Sequence, residues 1–214
     1  LKDITIHGDK NLSISDTELQ TGNTSALSNI QLTSAGEINL TNAVIDTRTQ
    51  ETSWTNLGNI KIFGATAQNY QKGAASTSFS PTDVGEAITI TNSHLYGNLI
   101  QIGNLTGGAK TISITNSKLY TNGDGFGTGY AFDLRSQGDL TITGSEITYS
   151  DGNNGYTNIS SVNGNITLDN TSVNDNAWNE SGRGTLSVFI ENGSGKTIEI
   201  KNNSLLDDDT IKLG

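Results

Sequence analysis

Seven times along the chain one phrase returns: an apolar residue, a second apolar residue two places on, a turn-forming residue at four and a third apolar residue at seven. The copies start at Leu12, Ile38, Ile88, Ile112, Leu140, Ile166 and Ile198. Their second apolar residues are Ile14, Leu40, Ile90, Ile114, Ile142, Leu168 and Ile200, and their third are Leu19, Ile45, Leu95, Leu119, Ile147, Val173 and Leu205. The turn position holds Asp16, Asn42, Asn92, Asn116, Gly144, Asn170 and Asn202. A weaker eighth copy reads from Ile60, with Ile62, Gly64 and Ala67 in the matching places.

Apolar residues two apart, separated by Ser, Thr or Lys, describe a strand that buries one face. Asn, Asp and Gly tolerate positive φ, so they end that strand in a tight bend. Upstream of the phrase stands another alternating pair, seen as Ile4/Ile6, Ile30/Leu32, Phe132/Leu134 and Val188/Ile190. A glycine turn joins the two pairs, with Gly36, Gly58, Gly138, Gly164 and Gly195 as its markers. Each unit is therefore strand, glycine turn, strand, asparagine turn, short strand.

Copies that start 22 to 32 residues apart are too short to bury an apolar face alone, whereas stacked copies share one core. Propeller blades need four strands, and leucine-rich repeats need a helix-forming stretch that this Gly- and Asn-rich chain lacks. The expectation is an all-β chain: a parallel β-helix solenoid of about eight to nine coils with loop insertions, right-handed in the usual sense. Like residues then stack, Ile on Ile inside and Asn on Asn at the bend. Ser or Thr at the fifth place (Thr17, Ser93, Ser117, Ser145, Thr171) extends that polar row. The first and last segments, LKDITI and TIKLG, read as strands and not as polar caps. Residues 1–214 are accordingly read as one β-helix segment of a longer repeat protein.

Composition removes several classes of function. A formal charge of −10 with twelve Lys and Arg leaves no basic surface for phosphate, which disfavours nucleic acid and anionic membranes. With no cysteine there are no disulfides and no thiolate metal sites. No run of eighteen apolar residues is present to span a bilayer. His7 and His94 fall at outward positions of unrelated units and are read as surface residues. TNGDGFGTG around Asp124 has the composition of a calcium loop but occurs once, so no metal or other cofactor is expected.

The longest insertions, at 63–87, 120–131, 148–158 and 174–185, follow the third inward residue and are expected along one edge of the rod. They hold most of the aromatics, beside Asp, Asn and Arg, a mixture suited to sugars with their apolar C–H faces and hydroxyls. The candidate ligand-binding residues are Tyr120, Tyr130, Tyr149, Asp151, Tyr156, Trp178 and Arg183. Among ten Asn-x-Ser/Thr sequences, those at Asn104, Asn179 and Asn192 lie in loops and are the candidate glycosylation sites. Against catalysis, Arg135 with Asp133 and Asp139 is the nearest approach to a lyase or hydrolase cluster, and alternation puts Asp133 and Arg135 on a solvated outer face.

Phrases such as GEINLTNAVI, GDLTITGSEI and GNITLDNTSV, which recur over most of the chain, resemble the repeat region of filamentous-haemagglutinin-like exoproteins of two-partner secretion, especially the high-molecular-weight adhesins. The resemblance implies a secreted or surface-exposed bacterial β-helix that binds host cells, often through glycans. It also implies an outer-membrane secretion partner for the parent protein and glycosylation at Asn-x-Ser/Thr. The expected function is attachment without catalysis, with a polysaccharide-degrading pectin-lyase-like enzyme and a purely structural spacer as alternatives.

Overall fold

The computed structural model describes residues 3–21, 29–48, 58–64, 85–103, 109–121, 130–149, 156–175, 185–208 and 210–214, and among them every regular element is a strand. The first turn consists of β1 (Ile4–Gly8), β2 (Leu12–Ser15) and β3 (Glu18–Gln20), and the second of β4 (Ile30–Ser34), β5 (Ile38–Thr41) and β6 (Val44–Asp46). The third holds β7 (Ile60–Gly64), β8 (Gly85–Thr91) and β9 (His94–Gly97); the fourth, β10 (Ile100–Ile102), β11 (Ala109–Thr115) and β12 (Lys118–Thr121). The fifth holds β13 (Tyr130–Ser136), β14 (Leu140–Thr143) and β15 (Glu146–Tyr149); the sixth, β16 (Tyr156–Ser161), β17 (Ile166–Asp169) and β18 (Ser172–Asp175). The seventh is β19 (Thr185–Ile190), β20 (Ile198–Lys201) and β21 (Leu205–Asp207), after which β22 (Ile211–Leu213) begins another.

Each strand pairs in parallel with the strand three places on, which yields three sheets along the rod: sheet A of eight strands from β1 to β22, sheet B of seven from β2 to β20, and sheet C of seven from β3 to β21. The chain is a β-solenoid. The coil number is smaller than the eight to nine expected, for a specific reason. The weak copy at Ile60 is β7, which lies in sheet A and pairs Ile60 with Ile30 and Ile62 with Leu32. It is the upstream strand of the turn whose phrase begins at Ile88. Gly58 therefore precedes a turn's first strand instead of joining its first two.

The repeated apolar residues line the interior. Ile38, Ile88, Ile112, Leu140 and Ile166 stack down sheet B, and Ile45, Leu95, Leu119, Ile147 and Val173 down sheet C, all essentially inaccessible. Each such side chain contributes on the order of 1.5–3 kcal/mol by leaving water. Two register assignments change. In β19 the inward pair is Leu186 and Val188, because Val188 pairs with Ile159; Ile190 is only partly covered. In the seventh turn an extra residue, Asn203 at φ 64°, shifts the inward position from Leu205, which is exposed, to Leu206 opposite Val173.

The bend after sheet B is made as its residues dictate. Asp16, Asn42, Asn92, Asn116, Asn170 and Asn202 have φ between 49° and 53°, and Gly144 has 57°. Gly144 suits its place twice over, since a Cβ there would also meet Asn116 Oδ1 at 2.6 Å. The rungs are mainly backbone: the amides of Asn42, Asn92, Asn116 and Gly144 donate to carbonyls one turn on, at 2.9–3.0 Å. Asn42 Nδ2 adds a side-chain rung to Asp16 Oδ1 at 2.9 Å.

Of the fifth-place hydroxyls, Thr17 in the first turn is exposed and donates to the Ser15 carbonyl at 2.7 Å, but those of the third to sixth turns do not extend this outer row. Ser93, Ser117, Ser145 and Thr171 are buried, and each donates to the carbonyl two residues back. The hydroxyls of Ser117 and Ser145 also accept the amides of Ser93 and Ser117, at 3.1 Å. Polar atoms that close the sheet B to sheet C corner thus form an internal column in which donors and acceptors match.

The segments outside the described residues do not share one boundary. Those at 22–28, 49–57, 122–129, 150–155 and 176–184 separate sheet C strands from sheet A strands, but 65–84 and 104–108 lie between sheets A and B. The expected single edge is therefore two.

Candidate functional site

Alternation in sheet C points Leu95 and Leu119 inward and Tyr96 and Tyr120 outward. Because β9 and β12 pair in register, the two tyrosines face each other across turns, ring centroids 6.4 Å apart and planes at 49°. The next residues in this outward row are Asp46 on one side and Thr148 and Asn174 on the other. The row runs along the rod with one member per turn, about 4.8 Å apart.

Its aromatic part is held from several directions. Asp46, almost wholly buried, receives Arg48 in a fork: Nε to Oδ1 at 2.9 Å and Nη2 to Oδ2 at 2.6 Å. That hydrogen bond raises the guanidinium pKa above its ordinary value, so Arg48 stays charged. The pair fixes the guanidinium 4.0 Å from the centre of the Tyr96 ring, a cation–π contact. His94 meets the same ring edge-on, at 6.1 Å and 85°. Beside the row, Lys118 and Glu146 form an exposed ion pair at 3.2 Å.

Of the residues singled out by sequence, Tyr120 is in this row. Tyr130 opens β13 and Tyr156 opens β16, and they are paired on sheet A at the boundary following sheet C, with Tyr156 exposed. Tyr149 is not a surface residue. It lies inward two places after Ile147, fully buried, and its hydroxyl donates to Asp208 at 2.6 Å. Asp151, Trp178 and Arg183 lie outside the described residues, as do Asn104, Asn179 and Asp124. Asn192 is exposed in the turn after β19, and its Nδ2 donates to Asn163 Oδ1 at 2.9 Å.

Tyr96, Arg48 and Asp46 were missed, although the first was legible. ITITNSHLYGN and ISITNSKLYTN carry the tyrosine at the same place, one step beyond the inward leucine. Arg48 depends on a bend after β6 that no periodicity announces.

The outer face of sheet A departs from the solvated surface expected there. Arg135 is buried and pairs with Glu191. Asp133 accepts hydrogen bonds from Gln101 and Asn158, both at 3.1 Å, which ties together three successive turns. Burial is the main influence on Asp133 and lifts its pKa above the usual carboxylate value. Asp139 serves the turn before β14, where it accepts the amide of Asn165 at 2.8 Å. His7 is likewise covered rather than on the surface: its Nδ1 lies 2.8 Å from Thr33 Oγ1.

Among the described residues no group of three or more His, Cys, Asp or Glu is placed to hold a metal, and no helix is long and apolar enough to cross a membrane. Comparisons with protein-family models, with curated proteins and with solved structures found no match.

Proposed function

We propose that this chain is part of the β-solenoid shaft of a secreted or surface-exposed bacterial adhesin, and that it attaches to host-cell glycans through the outer row of sheet C. The observation that carries this reading is the Tyr96–Tyr120 pair, oriented by Arg48 and continued along the rod by Thr148 and Asn174. Rings held in place offer the C–H face of a sugar a platform, and the neighbouring hydroxyl and amide groups match sugar hydroxyls. The parent protein would reach the surface through an outer-membrane secretion partner, as the resemblance of the repeats implies.

The test is a glycan array with the purified chain beside Tyr120→Ala and Trp178→Ala. An aromatic contact of about 0.5–1.5 kcal/mol predicts a loss of about two- to thirteenfold on removing Tyr120. A blank array from chain that retains its β circular dichroism would favour a spacer or a protein receptor.

A further inference from the structure

The outer face of sheet B is unlike the other two. Its third, fourth and fifth strands present Thr89 and Thr91, Ser113 and Thr115, Thr141 and Thr143, each on the side opposite the buried isoleucines and leucines. The two strands before them carry only Ser, Thr and Asn at these places, and within the two ranks charge enters only with Asp169 and then Glu199 and Lys201 in the last two; Glu86 and Lys110 form an exposed ion pair at the start of the third and fourth strands. Strand propensity explains threonine at outward positions in general. It does not explain why unbroken ranks of them occur in one sheet, since at the equivalent positions of sheets A and C hydroxyls such as Thr33 and Thr148 are interrupted by Lys61, Asp133, Asp46, Tyr96, Lys118 and Glu146.

We propose that this face binds ice. Every pairing in sheet B keeps one register, whereas sheet A shifts register between Tyr130 and Phe132. The hydroxyl-bearing residues therefore form a two-dimensional lattice, about 4.8 Å between turns and about 6.6 Å between the two ranks. These repeats are comparable with oxygen spacings on a prism plane of hexagonal ice. A threonine in such a ladder is stiff at χ1, so its hydroxyl and methyl hold fixed places. The hydroxyl anchors one water, and the methyl orders a cage of water around itself.

Other occupants fit less well. A protein partner is normally gripped by protruding aromatic or Arg anchors, a soluble sugar by aromatic platforms, and nucleic acid by cations. The two ranks of the central turns offer none of these, and the cation that precedes them in β11, Lys110, is paired with Glu86 of β8 at 2.7 Å; ice, an uncharged lattice, needs none. The site is separate from the sheet C row, so it holds or fails independently of the glycan reading.

The experiment follows single ice crystals in supercooled solutions of the purified chain, together with recrystallisation of frozen samples. Wild type should facet the crystals and separate freezing from melting temperature. Thr115→Tyr, which raises a bulky ring above the neighbouring hydroxyls, and Thr141→Lys, which adds a hydrated charge, should lose most of that effect with thermal unfolding unchanged. Tyr120→Ala should retain it. Round crystals without hysteresis from folded wild type would overturn the proposal, as would full activity in both sheet B variants. Retention on crystalline cellulose without any effect on ice would also overturn it, and would assign the lattice to an ordered polysaccharide.

Discussion

A single backbone angle does most to shape each repeat. The residue after each sheet B strand must take positive φ, which an ordinary L-residue adopts at a penalty of roughly 1–2 kcal/mol. Asn116→Ala should therefore lower stability by about 1 kcal/mol, while Asn116→Gly should be nearly neutral; paired chemical denaturation curves read the difference. Asp133 raises a different question, because burial leaves its charged form less favoured in the folded chain than in the unfolded one. Stability associated with it is complete below the unfolded carboxylate pKa and is lost as pH rises through the higher folded value. Asp133→Asn should accordingly stabilise the chain near neutral pH and flatten that part of the melting temperature profile. A fall in stability at neutral pH would mean that its two amide hydrogen bonds outweigh the burial of charge. The bend was legible in the Asn, Asp and Gly column, but the covering of Asp133 was not, since alternation says which way a residue points and nothing about what lies over it.

At the scale of elements, period two sorted the strands into inner and outer faces. Tyr149 belonged inward by the rule that placed Ile147, and grouping it with exposed aromatics departed from the periodicity. The serine column shows the limit of the pattern: composition marked Ser93, Ser117 and Ser145 as polar, but their inward aim follows from the corner geometry. Ser117→Ala removes the acceptor for the buried Ser93 amide and should cost about 1–3 kcal/mol. Ser117→Thr should recover much of it, as Thr171 fills the same position one turn beyond Ser145. Equal melting of Ser117→Ala and wild type would show that water enters the corner.

For the whole molecule, each turn touches chiefly its neighbours, so stability is nearly a sum of turns and interfaces. Ile114→Asp places a charge in the middle of the fully buried column and should break the fourth turn, with the turns on either side unfolding separately. Hydrogen exchange would show two protected blocks where wild type shows one; unchanged protection would contradict the register of sheet B. The sequence by itself determined the stacked parallel architecture, because identical phrases bury their apolar residues only against one another and their turn residues accept few backbone angles. Tertiary structure decided how many turns there are, that Ile60 belongs to sheet A, where the intervening segments fall, and that Arg48, Tyr96 and Tyr120 meet. Those outcomes depend on which strands become neighbours across gaps of as many as 50 residues, and strand pairing by backbone hydrogen bonds leaves no mark of its partner in the local pattern.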